Sequence, residues 1–150
     1  MDIVPPERRS VNMRLIRSRD TLPEMTVRRL IHAMGFRFRL HVADLPGKPD
    51  IVLPRLKSIV EVRGCFWHQH PGCIDSHIPK TRIKYWAPKL ARNQRRDKEN
   101  EDKLTALGWR VLVVWECEIK NIRKLSKRLA RFLGKPAPAW PPFYSFPGLT

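Results

Sequence analysis

A single mixed α/β domain, with a small mixed sheet flanked by helices, is the fold class the sequence predicts, and three observations carry it. At 150 residues the chain is long enough to bury most of its apolar surface in one core, and 42% hydrophobic against 29% charged residues is an ordinary globular balance. Segments of helical and of strand periodicity alternate in the order α-β-β-β-α-β-α. No internal repeat or convincing boundary divides residues 1–150, which read as one domain with a basic segment over 1–18 and a proline-rich tail over 135–150.

The elements follow in order. Residues 1–18 are polar and basic, with Met13, Leu15 and Ile16 as isolated apolar positions. "DTLPEMTVRRLIHAMG" announces a helix: Thr21 and Glu24 have capping-box spacing, Pro23 suits the first turn, and Val27, Leu30, Ile31 and Met34 form one apolar face before the stop at Gly35. "FRFRL" (36–40) alternates as a strand, and 50–53 with 57–63 reads as a hairpin. Residues 86–108 form a long charged helix closed by Gly108, and "WRVLVVWE" (109–116) is a nearly continuous apolar run, expected to be buried on both faces. "NIRKLSKRLARFLG" (121–134) is amphipathic through Ile122, Leu125, Leu129 and Phe132. The tail holds five of the fourteen prolines together with Trp140, Phe143, Tyr144 and Phe146, which suit irregular chain packed on the body.

Thirty Lys and Arg against fourteen Asp and Glu give a net charge of +16, which makes a polyanion, and nucleic acid first, the expected partner. No run approaches the roughly 18 apolar residues of a membrane span. "MDIVPPERRS" lacks the apolar core of a signal peptide, so a cytoplasmic protein without membrane partners is expected. Three cysteines without an export signal favour metal ligation or buried thiols over disulfides.

Four constellations carry chemistry. Asp50 begins one strand, and Glu61 and Arg63 share a face of the next, so a hairpin brings the two carboxylates together at one end. Two carboxylates with a cation are what Mg²⁺-assisted phosphodiester hydrolysis requires: hard oxygens hold the ion, and the cation offsets charge on the phosphorane. The alternative is a turn aspartate and a solvent-exposed Glu–Arg pair. Cys65, His70, Cys73 and the distant Cys117 form the second set, four soft donors suited to zinc, with buried free thiols as the alternative. His68 and His77 exceed what such a site needs. Third, Phe66, Trp67, Tyr85 and Trp86 either wedge between bases or cap the metal loop. Fourth, Lys89, Arg92, Asn93, Arg95 and Arg96 permit base readout, or form a solvated basic face that holds phosphates.

"VNMRLIRSRDTLPE", "LPGKPDIV", "GCFWHQHPGC", "TRIKYWAPKLARNQRRD" and "LGWRVLVVWECE", in that order, resemble the very short patch repair (Vsr-type) mismatch endonucleases. The resemblance spans about residues 10–118 and implies a PD-(D/E)xK restriction-endonuclease-like core with a structural zinc site. It implies an enzyme that nicks duplex DNA 5′ to the T of T:G mismatches left by deamination of 5-methylcytosine. By the same resemblance Asp50 is the Mg²⁺ ligand with the backbone carbonyl of Val62, His68 and Glu24 are catalytic, and Cys65, His70, Cys73 and Cys117 hold zinc. DNA is expected to meet Met13, Arg14, Ile16, Phe66, Trp67, Trp86, Lys89, Asn93 and Arg96. Glu61 and Arg63 depart from the family, whose familiar members have no carboxylate at the first position and a histidine at the second; here the pair is nearer the superfamily's ExK, adding Glu61 to the Mg²⁺ ligands and Arg63 to the catalytic set. The Pro71-Gly72 spacer is one residue longer than in some members, which leaves open which histidine binds zinc. A monomer is expected, since a single-strand cut needs no two-fold symmetry, with possible recruitment by other repair proteins. A restriction-like enzyme cutting matched DNA and a non-catalytic zinc-stapled DNA-binding module are the rival readings.

Overall fold

The computed structural model describes residues 20–135, and within them the expected order of elements is the observed one. The N-terminal segment with Met13, Arg14 and Ile16, and the aromatic tail, lie outside the described residues. Helix α1 is Leu22–Ala33, strand β1 Arg39–Leu40, β2 Ile51–Leu53, β3 Ser58–Arg63, helix α2 Ile83–Ala106, β4 Arg110–Trp115 and α3 Ile122–Leu133. Among the described residues, no helix is long and apolar enough to cross a membrane.

Helix α1 starts and stops by local chemistry. Thr21 caps it by accepting from the Glu24 amide, while the Glu24 carboxylate reaches back to the amide of Asp20, one residue before the one a capping box would serve. At the other end Gly35 (φ 97°) lets its own N–H reach His32 and that of Phe36 reach Ile31, a Schellman closure.

The four strands lie in the order β1-β2-β3-β4. β2 and β3 form the expected antiparallel hairpin, with Ile51 opposite Val60, turned by a 3₁₀ segment at Pro54–Leu56 and by Lys57 in a left-handed conformation. β4 runs parallel to β3, with α2 in the crossover, as a parallel pair requires. Because strand side chains alternate, the sheet has two packed faces. Ile51, Leu53, Val60, Leu112 and Val114 face α1 and α3, meeting Val27, Ile31, Leu125, Leu129 and Leu133. Val52, Ile59 and Val111 face the other way, toward Leu104 of α2.

Four expectations change. β1 pairs over two residues instead of five, because β2 offers only three; Phe36 and Phe38 enter the core instead. β4 is packed on both faces but lies at the open edge of the sheet, so only Val114 is fully buried. α2 begins at Ile83, not at Trp86, and runs through Pro88. In α3 Ile122 is exposed, and Leu133 joins Leu125 and Leu129 in the buried stripe at a spacing of four.

Candidate active site and metal centre

The site begins with an unusual stripe on α2. Leu90, Asn93, Asp97, Asn100 and Leu104 recur at three- and four-residue steps, so they share one side of the helix. Leu90 and Leu104 are buried at its two ends, but the residues between are polar. Where Asp97 and Asn100 face the sheet, packing gives way to a pocket of about 660 Å³. Gly47 allows the turn before β2 to close one wall: it sits at φ +77°, and a Cβ there would come within 2.8 Å of the Asn100 side chain.

Asp50, Glu61, Val62, Arg63 and His68 all line this pocket. The register explains the convergence: Ile51 pairs with Val60, so Asp50 stands opposite Glu61, both on the α2 side of the sheet. Asp50 Oδ2 accepts the Val62 N–H at 2.9 Å, which fixes one oxygen and leaves Oδ1 toward the pocket. Burial raises the Asp50 carboxyl to about 7; the Val62 N–H opposes this, the charges of Glu24 and Glu61 add to it, and His68 opposes it. Burial also raises Glu61, against the pull of Arg63, whose Nη2 lies 2.9 Å from Glu61 Oε2 and 3.6 Å from Glu101 Oε2. Arg63 is buried, so this pair forms the floor of the pocket and is not the solvent-exposed pair of the alternative reading. Crowded, partly desolvated carboxylates of this kind repel one another unless protons or a cation lie between them, and their oxygens suit a hard divalent ion.

His68 presents its ring between Asp50 and α2: its Nδ1 lies 2.6 Å from Asp97 Oδ2. The tautomer with hydrogen on Nδ1 is fixed by that contact, which leaves Nε2 as the proton-accepting nitrogen. Glu24 is buried (2% exposed) in a second, smaller pocket shared with Asp50, Val62, His68 and Trp67. Asp97 and His41 were not anticipated. Asp97 sits in the charged run "RRDKENEDK", where nothing local separates it from its solvated neighbours, and only the sheet-facing stripe marks it. His41 follows a two-residue strand whose end the sequence did not mark.

The thiol–imidazole set converges as expected. The ligand atoms of Cys65, His70, Cys73 and Cys117 all lie within 4.8 Å of one another. Cys65 Sγ and Cys117 Sγ stand 3.7 and 3.5 Å from His70 Nδ1, near the ~3.6 Å that tetrahedral bonds of about 2.3 Å to sulfur and 2.0–2.1 Å to nitrogen imply. His70 belongs to this cluster and His68 to the pocket, so the two histidines are divided between the sites. Trp115, at the end of β4, stacks on His70 with ring centroids 4.3 Å apart and sets its plane. Cys65 is fully buried, and without an ion burial pushes its thiol up to about 12. Two cysteines and a histidine from one loop with a cysteine beyond β4 form a donor set for a soft, tetrahedral metal.

Beside both sites, Phe66, Trp67 and Trp86 form a mutually edge-on cluster with centroids 5.2 to 5.8 Å apart. Trp86 also meets Tyr85, and the Lys89 ammonium lies 5.4 Å from the Trp67 ring centroid. All three rings of the cluster are partly exposed. Asn93 donates to the Trp67 carbonyl at 3.2 Å and accepts from Arg96 at 2.7 Å, so its amide also ties α2 to the aromatic loop.

Comparison with known proteins gives a consistent picture. The family model described as "DNA mismatch endonuclease Vsr" matches residues 1–73. The chain is 49% identical over 132 residues to the type II nicking enzyme V.XorIIP of Xanthomonas oryzae pv. oryzae, covering 88% of this chain and 96% of that protein. It is 42% identical over 132 residues to the type II nicking enzyme V.NmeAIP of Neisseria meningitidis, covering 88% and 94%. To the DNA mismatch endonuclease Vsr of Escherichia coli it is 40% identical over 125 residues, covering 83% and 80%.

Proposed function

The chain belongs to the Vsr family of DNA mismatch endonucleases and is a DNA-cleaving enzyme, and from that premise we propose that it nicks one strand of duplex DNA, 5′ to the T of a T:G mismatch. The observation that carries this reading is the placement of the Asp50–Glu61–His68 pocket next to a partly exposed aromatic cluster, on a chain of net charge +16. Phosphodiester hydrolysis needs the first, opening of a weakened base pair uses the second, and the charge supplies affinity for the backbone.

The catalytic ion in this reading is Mg²⁺, held by Asp50 Oδ1, Glu61 and the Val62 carbonyl, where it would activate water and neutralise charge on the scissile phosphate. The chain's own groups do the rest. His68 Nε2 takes a proton from the attacking water while Asp97 stabilises the ring as it becomes cationic. Arg63 keeps Glu61 oriented and partly compensated at the pocket floor. Phe66, Trp67 and Trp86 wedge into the duplex beside the mismatch, with Lys89, Asn93 and Arg96 at the flanking groove, joined by Met13, Arg14 and Ile16 from outside the described residues. Cys65, His70, Cys73 and Cys117 would hold a zinc ion that ties down the loop carrying His68, Phe66 and Trp67. The enzyme acts as a cytoplasmic monomer, open to recruitment by other repair proteins.

The test is cleavage of labelled duplexes with randomised flanks, matched or carrying a single T:G pair, with and without Mg²⁺. A Mg²⁺-dependent nick confined to the T strand of mismatched duplex is the expected product. Cleavage of both strands of matched DNA would replace this reading with a restriction-like one.

His68→Ala is expected to slow single-turnover nicking by on the order of 10²- to 10⁴-fold, the usual loss when a general base is removed. Asp97→Asn should fall in the same direction by less, since it withdraws only support for the ring. Full zinc retention is expected in both. Zinc loss in His68→Ala would show that the two histidines have exchanged roles.

A further inference from the structure

His41 also lines the pocket and has no part in the reading above. His41 follows β1 at φ +46°, a left-handed conformation uncommon for a side chain of its size. The cost is met by its amide, which donates to the carbonyl of Asp50 at 3.1 Å and brings the ring alongside that residue. The ring is mostly buried, with side-chain exposure of 19%. Its Nδ1 lies 3.9 Å from Asp50 Oδ1, the oxygen that the Val62 amide leaves free. Its Nε2 lies 3.2 Å from Glu24 Oε1 and 3.0 Å from Arg28 Nη2. Glu24 Oε1 is buried and makes no hydrogen bond in this geometry, so it is an unpaired acceptor aimed at the ring. Asp20, Glu24 and His41 also bring their donor atoms within 4.8 Å of one another, but the Arg28 guanidinium already sits among them, 2.6 Å from Asp20 and 3.2 Å from Glu24. A resident cation there leaves the cluster as a polar network around His41 and not as a further metal position.

We propose that His41 is a positioning residue of the active site: its ring stands between Glu24 on α1 and Asp50 at the head of β2, holds the two carboxylates apart, and keeps Asp50 Oδ1 turned toward the pocket. Asp50 is then held at one oxygen by the Val62 N–H bond and flanked at the other by the imidazole, 3.9 Å away. Arg28 Nη2 donates to His41 Nε2 and anchors the far edge of the ring, with the Glu24 carboxylate close beside it, so the orientation of Asp50 is transmitted from helix α1. This rests on reading Asp50 as the Mg²⁺ ligand. A carboxylate that rotates freely misplaces its ion and the water on it, and misplacement on the scale of an ångström costs about 10²-fold in rate.

Three substitutions in the full chain separate this role from backbone effects. His41→Ala removes the ring. His41→Asn accepts the left-handed backbone but is too short to reach Glu24, and His41→Gln has the reach and both a donor and an acceptor. Each is measured for single-turnover nicking of a T:G duplex at saturating Mg²⁺, for duplex affinity without Mg²⁺, and for melting temperature. His41→Ala and His41→Asn should nick about tenfold or more slowly with duplex affinity within about twofold of wild type, and His41→Gln should recover most of the rate. In a Glu24→Gln background, His41→Ala should cost little more, because the two act as one unit. Rates within about twofold of wild type, recovery by Asn but not Gln, or full additivity with Glu24→Gln would each overturn the proposal. Should His41→Ala fail to fold, the Asn and Gln variants decide. If Asp50→Asn is inactive while the His41 variants nick normally, only this proposal fails; if Asp50→Asn still nicks, the reading of Asp50 fails with it.

Discussion

Asp50→Asn is expected to abolish nicking and to leave T:G duplex affinity, measured without Mg²⁺, close to that of the wild type. The substitution keeps the shape that accepts the Val62 amide bond at 2.9 Å but replaces a hard anionic oxygen with a neutral amide. Only one charge in a chain of +16 changes, so attraction for the phosphate backbone barely moves. Retained nicking at a comparable rate would remove Asp50 from the metal site. The pH dependence adds an independent check. Folding raises the Asp50 carboxyl from its ordinary 3.8 to about 7, so ionising it opposes folding. Wild type without Mg²⁺ should therefore lose stability as pH rises from about 4 to about 7, while Asp50→Asn should not share that loss and should melt no lower than wild type at pH 8. Over the same range a proton competes with the ion for Asp50. The Mg²⁺ concentration for half-maximal nicking should therefore climb as pH falls below about 7.

Removing the zinc should unfold the protein, the other large effect we expect. The donors Cys65, His70 and Cys73 sit on one loop, and Cys117 lies just past β4, so an ion held by them would join the end of β3 to the end of β4. Structural zinc contributes an apparent ~10–16 kcal/mol in zinc-finger peptides at neutral pH, as much as the whole stability of a typical domain. Elemental analysis should find about one zinc per chain, and chelation should produce a cooperative loss of structure instead of simple inhibition. Cys117→Ser should be recovered as aggregate or as zinc-poor protein. Folded, active, zinc-free protein would remove the ion from the account.

The sequence made much of this legible because its strongest signals were local. Thr21, Gly35 and Gly108 mark helix ends by backbone chemistry, and the 50–63 hairpin follows from alternation. Once that hairpin is granted, the meeting of Asp50 with Glu61 follows from register alone. Where the reading fell short, the cause was long-range. An apolar run such as 110–115 reports that both faces are covered, and is silent about whether the strand has a neighbour on each edge. Asp97 and His41 owe their places to the packing of α2 and of the β1 end against the hairpin, and neither contact leaves a trace in nearby residues. The division between His68 and His70 was open in the spacing and is resolved by the loop's fold.

The separation of Cys117 from its three fellow donors bears on the birth of the protein. Cys73 and Cys117 are 44 residues apart, and at about 5–20 residues per second the ribosome needs roughly 2 to 9 s to cover that interval. Through those seconds the nascent chain already carries Asp50, Glu61 and His68, yet neither β4 nor the fourth donor exists to lock the loop. A DNA-cleaving enzyme whose loop is closed by zinc in this way would be switched on late in its own synthesis. Fragments from interrupted translation should be inert and open to proteolysis, which spares the chromosome from partial copies of a nuclease.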